Sequence, residues 1–329
     1  MPVVSGMNYY TLAEYNNIVA GEAKVHPQII HTIQDASPLL DQMPFAVCNN
    51  GRSNLTKLIT KYPEGQLRGF NEGVESEKTG ARITEDATCM VQTYSVIDAE
   101  ILKQNNFSAA FCAQNDAAFE RGLAHAMATR VFQGSRKTDP RGIDGLQARY
   151  KKVGKGVIDA GGTAGNELSD IWLVNWGLDK VHGIFPEGGA AGLQVFDRGE
   201  SDVYDSNNRR YRGYITDYMW NFGIAVEDPM QVVRIANVDD TALTDDPTSV
   251  DIYSFLIRAI ESLPQDPGAQ CAIYMNNAVR TALRLQILQK ANVDLQYETV
   301  AERKVQVFSG IPVHRIPTEI LGTYTTKVA

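Results

Sequence analysis

Phe107-Ser-Ala-Ala-Phe-Cys-Ala-Gln-Asn-Asp-Ala-Ala-Phe-Glu-Arg-Gly-Leu-Ala-His-Ala-Met-Ala-Thr-Arg-Val-Phe132 is the stretch on which the fold turns. It is rich in alanine, the strongest helix former. Phe107, Phe111, Phe119, Leu123, Met127 and Val131 recur mostly four apart, so they fall on one stripe. The spacing predicts a long amphipathic helix. Gly134 stands where a C-cap glycine belongs, and Ser135-Arg-Lys-Thr-Asp-Pro-Arg-Gly-Ile-Asp-Gly-Leu146 reads as a polar turn.

The segment before this helix predicts a long hairpin over Asn54 to Asp98. Leu55-Thr-Lys-Leu-Ile-Thr-Lys-Tyr62 is β-branched and partly alternating, and Thr88 to Ile97 returns with Val91, Thr93, Tyr94 and Val96. Between the two runs both charge signs interleave, from Glu64, Arg68, Glu72 and Glu75 through Glu77 and Lys78 to Arg82, Glu85 and Asp86. A solvated loop fits this pattern, and so does a loop lying on a second copy with charges paired across the contact. Residues 1–53 are interrupted by Pro27, Pro38 and Pro44. Apart from a short helix over Ile29–Gln34 they read as an extended arm with little core of its own.

Downstream, Lys151–Asn166 is a glycine-rich loop. Ile171–Trp176 and Val181–Phe185 carry strand patterns, and Tyr211–Val226 with Val232–Val238 read as a pair of antiparallel strands joined at Asp228-Pro229. Asp239–Ser249 reads as an acidic linker. Tyr253, Leu256, Ile257, Ile260 and Leu263 predict an amphipathic helix ending before Pro264. Cys271–Met275 predicts a buried strand, Asn276 or Asn277 caps a helix running to Lys290, and Val305–Phe308 and Ile311–Ile316 close the chain as strands. The fold class is α+β.

A chain of 329 residues with 43% hydrophobic content can bury a large core, in one domain or two lobes. The formal charge of −8 argues against tight nucleic-acid binding, which draws on counterion release at a basic surface. It suits a container along which packed DNA slides. The opening Met1 to Tyr10 lacks a signal-peptide pattern, and no apolar run approaches the ~20 residues of a membrane span. Cys48, Cys89, Cys112 and Cys271 lie far apart, as free thiols of a reducing cytoplasm do.

Motifs of chemistry are sparse. No GxxxxGK(S/T), HExxH or GxSxG occurs, and Gly154-Lys-Gly156 lacks the third glycine of a dinucleotide loop. His26, His31, His125, His182 and His314 show no metal-ligand spacing. Asp202, Asp205 and Asn207 resemble a calcium loop only loosely, because Asn208 sits where glycine is needed and no closing glutamate follows. The expectation is a non-enzyme with no catalytic residue, cofactor or metal.

The order of segments, arm, charged hairpin, long helix and Gly-Pro-Gly turn, resembles the major capsid proteins of tailed phages with the Hong Kong 97 fold. Two local matches carry it: Phe132-Gln-Gly134 followed by Gly142-Ile-Asp-Gly-Leu146, and Phe308-Ser-Gly-Ile-Pro-Val313. Ile171-Trp-Leu-Val-Asn-Trp-Gly177, Val181-His-Gly-Ile-Phe-Pro186, Val233-Arg-Ile-Ala-Asn237 and Tyr274-Met-Asn-Asn-Ala-Val-Arg280 are similar to the branch found in short-tailed phages.

The resemblance implies an N-arm (1–53), an E-loop (54–98) and a P-domain spine helix with its turn (99–150), followed by P-domain sheet strands (151–238) and an A-domain with closing strands (239–329). The family's sheet strands usually follow the Gly-Ile-Pro-Val strand. Here the chain ends at Ala329, soon after Val313, so Ile171–Val238 is expected to supply that sheet in a circularly permuted order.

The resemblance further implies self-assembly into pentamers and hexamers of an icosahedral shell around double-stranded DNA, in the host cytoplasm. A separate scaffolding protein, a portal and a cement or decoration protein are the implied partners, and no membrane. Tyr62, Arg68, Phe70, Glu72, Glu75, Lys78 and Arg82 of the E-loop are the expected intersubunit contacts. No lysine crosslink through Lys78 is expected, since no partner asparagine is identifiable. An encapsulin-like compartment shell, an α/β enzyme with a spatially assembled site, and a decoration or tail protein are the alternatives.

Overall fold

The computed structural model describes residues 38–61, 63–104, 109–204, 208–264, 270–289, 295–300 and 303–329. The expected helix over Ile29–Gln34, Tyr62, Phe107, His26, His31, Asp205 and Asn207 lie outside them.

In chain order the elements are β1 (Phe45–Val47), β2 (Ser53–Lys61), β3 (Gly80–Asp98), α1 (Ala99–Gln104), α2 (Ala109–Gln133), α3 (Leu146–Arg149), β4 (Val157–Asp159), β5 (Leu168–Asn175), β6 (Val181–Phe185) and β7 (Leu193–Tyr204). There follow β8 (Arg210–Val226), β9 (Val232–Asp239), α4 (Asp240–Asp245), α5 (Ile252–Glu261), β10 (Cys271–Met275), α6 (Asn277–Gln289), β11 (Leu295–Val300), β12 (Arg303–Phe308), β13 (Ile311–Arg315) and α7 (Thr318–Leu321).

Two sheets divide these strands. The first runs β1-β6-β8-β3-β2, with β7 also paired to β8; the second runs β11-β12-β13-β10-β5-β9-β4. β5, β9 and β10 are buried at every position, which requires cover on both faces. Ile171, Leu173, Val233, Ile235, Ile273 and Met275 face one way, into a core shared with Leu256 of α5 and Val279 and Leu283 of α6. Trp172, Val174, Trp176 and Tyr274 face the other way, into a core shared with Met127, Val131 and Phe132 of α2 and with Tyr218, Trp220 and Phe222 of the first sheet. The C-terminal half of the long helix is therefore a wedge between the sheets. Phe119 stacks on Tyr218 at 5.2 Å between centroids, and Phe132 meets Tyr274 edge-on at 5.8 Å.

A buried ion pair pins this junction. Arg234 on β9 grips Asp170 on β5 with two hydrogen bonds of 2.9 and 2.8 Å. The guanidinium also donates to the Tyr150 carbonyl, and the Tyr324 hydroxyl donates to Asp170 at 2.7 Å. Burial of two charges is tolerable because every strong donor and acceptor finds a partner.

Three expectations are corrected. Ile171–Val238 does not form one sheet: β5 and β9 join β10, while β6, β7 and β8 join β3. The physical reason lies in the patterns. β5 and β9 are buried at every position, polar residues included, and need two covered faces, whereas β7 carries exposed polar residues along most of its length and suits a sheet covered on one face. Tyr211–Val226 and Val232–Val238 are likewise not a pair. Asp228 caps a single 3-10 turn over Pro229–Gln231, with its carboxylate accepting from Met230 N, and this turn carries the chain from one sheet to the other. Finally, the acidic linker contains α4, whose N-cap Asp239 accepts from Ala242 N.

Candidate assembly surfaces

Among the described residues, the hairpin of β2 and β3 carries the longest run of exposed residues. Leu55↔Glu85, Lys57↔Ile83 and Ile59↔Ala81 pair along it, and from Thr88 onward β3 pairs instead with β8. Where the hairpin leaves the sheet, its root is fixed by charge. Asp86, 2% exposed, pairs with Arg149 of α3 at 2.7 Å. Its other oxygen accepts from Val226 N at 3.2 Å. Arg149 also donates to the Asp144 and Ile224 carbonyls, and Asn54 donates to Glu227 at 3.3 Å. Gly223 allows β3 to pass closely over β8, since a Cβ there would lie 2.7 Å from the Ala87 carbonyl oxygen.

Beyond the paired strands, residues 63–79 form a loop exposed throughout. It is tied to itself. Arg68 Nε donates to the Glu72 carbonyl at 2.7 Å, and the Glu72 carboxylate accepts from Gly69 N at 2.9 Å. Glu75 N donates to Gln66 at 3.4 Å, and Glu77 accepts from Glu64 N at 3.1 Å. Arg68, Phe70, Glu72, Glu75, Lys78 and Arg82 are all exposed on this projection. Tyr62 is outside the described residues.

Sequence reasoning missed Leu67, which with Phe70 is fully exposed at the tip; an apolar residue three positions from Phe70 inside a charged stretch was the available signal. It also missed the Asp86–Arg149 root, because nothing in a linear sequence pairs residues that far apart.

The remaining chemistry is that of a packed scaffold. Among the described residues no group of three His, Cys, Asp or Glu side chains could hold a metal. Asp202 pairs with Arg210 and Arg212 instead. His314 is half-buried, hydrogen-bonded to Gln42 at 3.0 Å and stacked on Tyr274, and desolvation, then the nearby Arg280, push its pKa down to about 4. Burial lifts Asp240 to about 6, although Ser169 and Asn276 donate to its carboxylate. Burial, and then the neighbouring Asp116, lifts Glu120 on the long helix to about 7. Asp116 itself accepts from the Tyr218 hydroxyl. Cys48, Cys89, Cys112 and Cys271 are free thiols. No helix among the described residues is long and apolar enough to cross a membrane.

Comparison with known proteins places this architecture. No curated protein sequence matches. Among solved structures, the fold is similar to a chain of bacteriophage Epsilon15, at 23% identity and a TM-score of 0.69 over 88% of each chain. It is also similar to the bacteriophage JBD30 capsid, at 12% identity and a TM-score of 0.52 over 91% of this chain and 100% of that one. An encapsulin complex of Synechococcus elongatus aligns over 63% of this chain and 89% of its own, with 10% identity and a TM-score of only 0.43, too slight a likeness to argue from. The mixed α+β fold is thus that of the Hong Kong 97-like phage capsids. A family model described as Major capsid protein GP7 matches residues 21–323, nearly the whole sequence, and the chain therefore belongs to the major capsid protein GP7 family.

Proposed function

We propose that this chain assembles with copies of itself into pentamers and hexamers of an icosahedral shell that encloses phage double-stranded DNA. The observation that carries the reading is the projecting β2–β3 hairpin, with Leu67 and Phe70 fully exposed at its tip. A monomer gains nothing from holding two large apolar side chains in water, whereas an assembly buries them. On this reading residues 1–53 are the N-arm and the hairpin is the E-loop. The long helix with β3, β6, β7 and β8 is the P-domain, and the second sheet with α5 and α6 is the A-domain. The order is not a simple permutation, because the chain crosses from one unit to the other and back between β5 and β9.

The shell subunit is structural and carries no reaction of its own. Its charge of −8 keeps contact with packaged DNA weak and non-specific. Assembly in the host cytoplasm uses a separate scaffolding protein and a portal, and a cement or decoration protein binds the finished shell. Negative-stain electron microscopy of the expressed protein, with and without a co-expressed scaffold candidate, tests this. Closed shells, or rings of five and six, are expected. Monodisperse monomers under both conditions would contradict it.

A further inference from the structure

The chain is acidic overall, yet its basic residues are not evenly spread. Between Arg136 and Lys155 it carries seven cations against only Asp139 and Asp144. This segment forms one wall of a cleft of about 680 Å³ at the root of the hairpin, and Leu58 of β2 with Arg82, Thr84 and Glu85 of β3 form the facing wall. Arg82 and Thr84 alternate along β3, so they share one face of the strand. At this volume the cleft falls in the range of small-molecule sites.

Arg82, Arg136, Lys137 and Lys151 line the cleft and are exposed, and none of them has a carboxylate partner among the described residues. The acids that could neutralise them are engaged elsewhere. Asp86 holds Arg149, Asp144 accepts from Arg136 N, and nearby Asp139 pairs with Arg141. Glu85 is the remaining acid of the lining, against four cations. Thr84 adds a hydroxyl whose oxygen is buried and has no hydrogen-bond partner among the described residues. Like charges on facing walls repel, and an anion held between them turns that repulsion into attraction.

We propose that this cleft is a binding site for a free oligophosphate anion. Phosphate oxygens accept charge-assisted hydrogen bonds from arginine forks and lysine ammonium groups alike, and linked phosphates reach cations on both walls at once. The chain's overall charge of −8 disfavours anions on the rest of its surface. Bound in the cleft, the anion joins Arg82 of the hairpin to Arg136, Lys137 and Lys151 of the body. It acts beside the Asp86–Arg149 pair at the root and restrains the hairpin against the body. The inference stands apart from the shell reading, since both walls belong to one chain.

Calorimetric titration of the full chain with sodium tripolyphosphate tests it, with sodium sulfate at equal ionic strength as the control for screening. One tripolyphosphate per chain is expected, with a raised melting temperature at saturation. R136Q/K137Q/K151Q removes the cations of the body wall, and R82Q removes that of the hairpin wall. K57Q/K61Q removes two exposed lysines that do not line the cleft. All six positions are exposed, so melting without ligand should match the parent chain. The body-wall variant should weaken binding about tenfold or more, R82Q should weaken it less, and K57Q/K61Q should leave it unchanged. An equal response to sulfate, or a folded body-wall variant that binds like the parent, would overturn the site. An R82Q chain that binds like the parent would overturn the bridge to the hairpin. A short DNA duplex that displaces tripolyphosphate at equal phosphate concentration would place the phosphate in DNA and overturn the assignment to a free anion.

Discussion

At the scale of single residues, the buried charges give the sharpest expectations. Removing Arg234 leaves the Asp170 carboxylate buried without its partner. R234A should therefore lower the unfolding free energy by about 3–5 kcal/mol in denaturant titration. D170N/R234M, which removes both charges, should cost less than R234A alone. Glu120 sets a pH dependence. Its folded pKa of about 7 lies above its ordinary value of 4.5, so the folded chain holds a proton that the unfolded chain releases. That contribution is fully present below about pH 4.5 and is lost as pH rises through 7. Stability should thus fall between about pH 4.5 and 7, with a slope of at most about 1.4 kcal/mol per pH unit from this group. E120Q should flatten that slope, and urea titrations across the range would measure it. The sequence made Arg234 visible as a lone cation within an apolar run. It could not reveal Asp170, since the pairing depends on β5 lying beside β9.

At the scale of elements, the long helix and the turn after it were the most legible parts. The stripe through Leu123, Met127 and Val131 is the buried face of α2, and the glycines of the turn have a steric cause. A Cβ on Gly145 would lie 2.6 Å from the carbonyl oxygens of Arg130 and Val131, and one on Gly134 would lie 2.3 Å from that of Arg130. The turn packs directly on the helix terminus, so backbone would have to move. G145A should cost about 1–3 kcal/mol by overpacking. G142A should cost less, since its nearest clash is 3.2 Å from the Asp139 oxygen; thermal melts of the two variants make the comparison. The sheet assignment of Ile171–Val238 was not legible. Each strand could be read from its own pattern, but partner choice between two sheets is decided by which faces are covered, and that is a property of the assembled core. The hairpin tip is exposed within one chain, which both readings of its charge pattern require. L67S/F70S should leave the melting temperature of the monomer unchanged and reduce the assembled fraction in sedimentation, because these side chains contribute nothing inside one chain.

At the scale of the whole molecule, two sheets share a core through the wedge of α2, and the projecting hairpin is rooted to that body by Asp86 and Arg149. A rigid body with a well-anchored projection can repeat one contact many times, so modest individual contacts sum to a stable shell through avidity. A cryo-electron microscopy reconstruction of assembled particles tests this most directly. The account predicts capsomers of five and six copies in which the loop of residues 63–79 of one copy lies against the next copy. A closed shell in which those loops point into solvent, or a protein that remains monomeric with every other head component present, would contradict it.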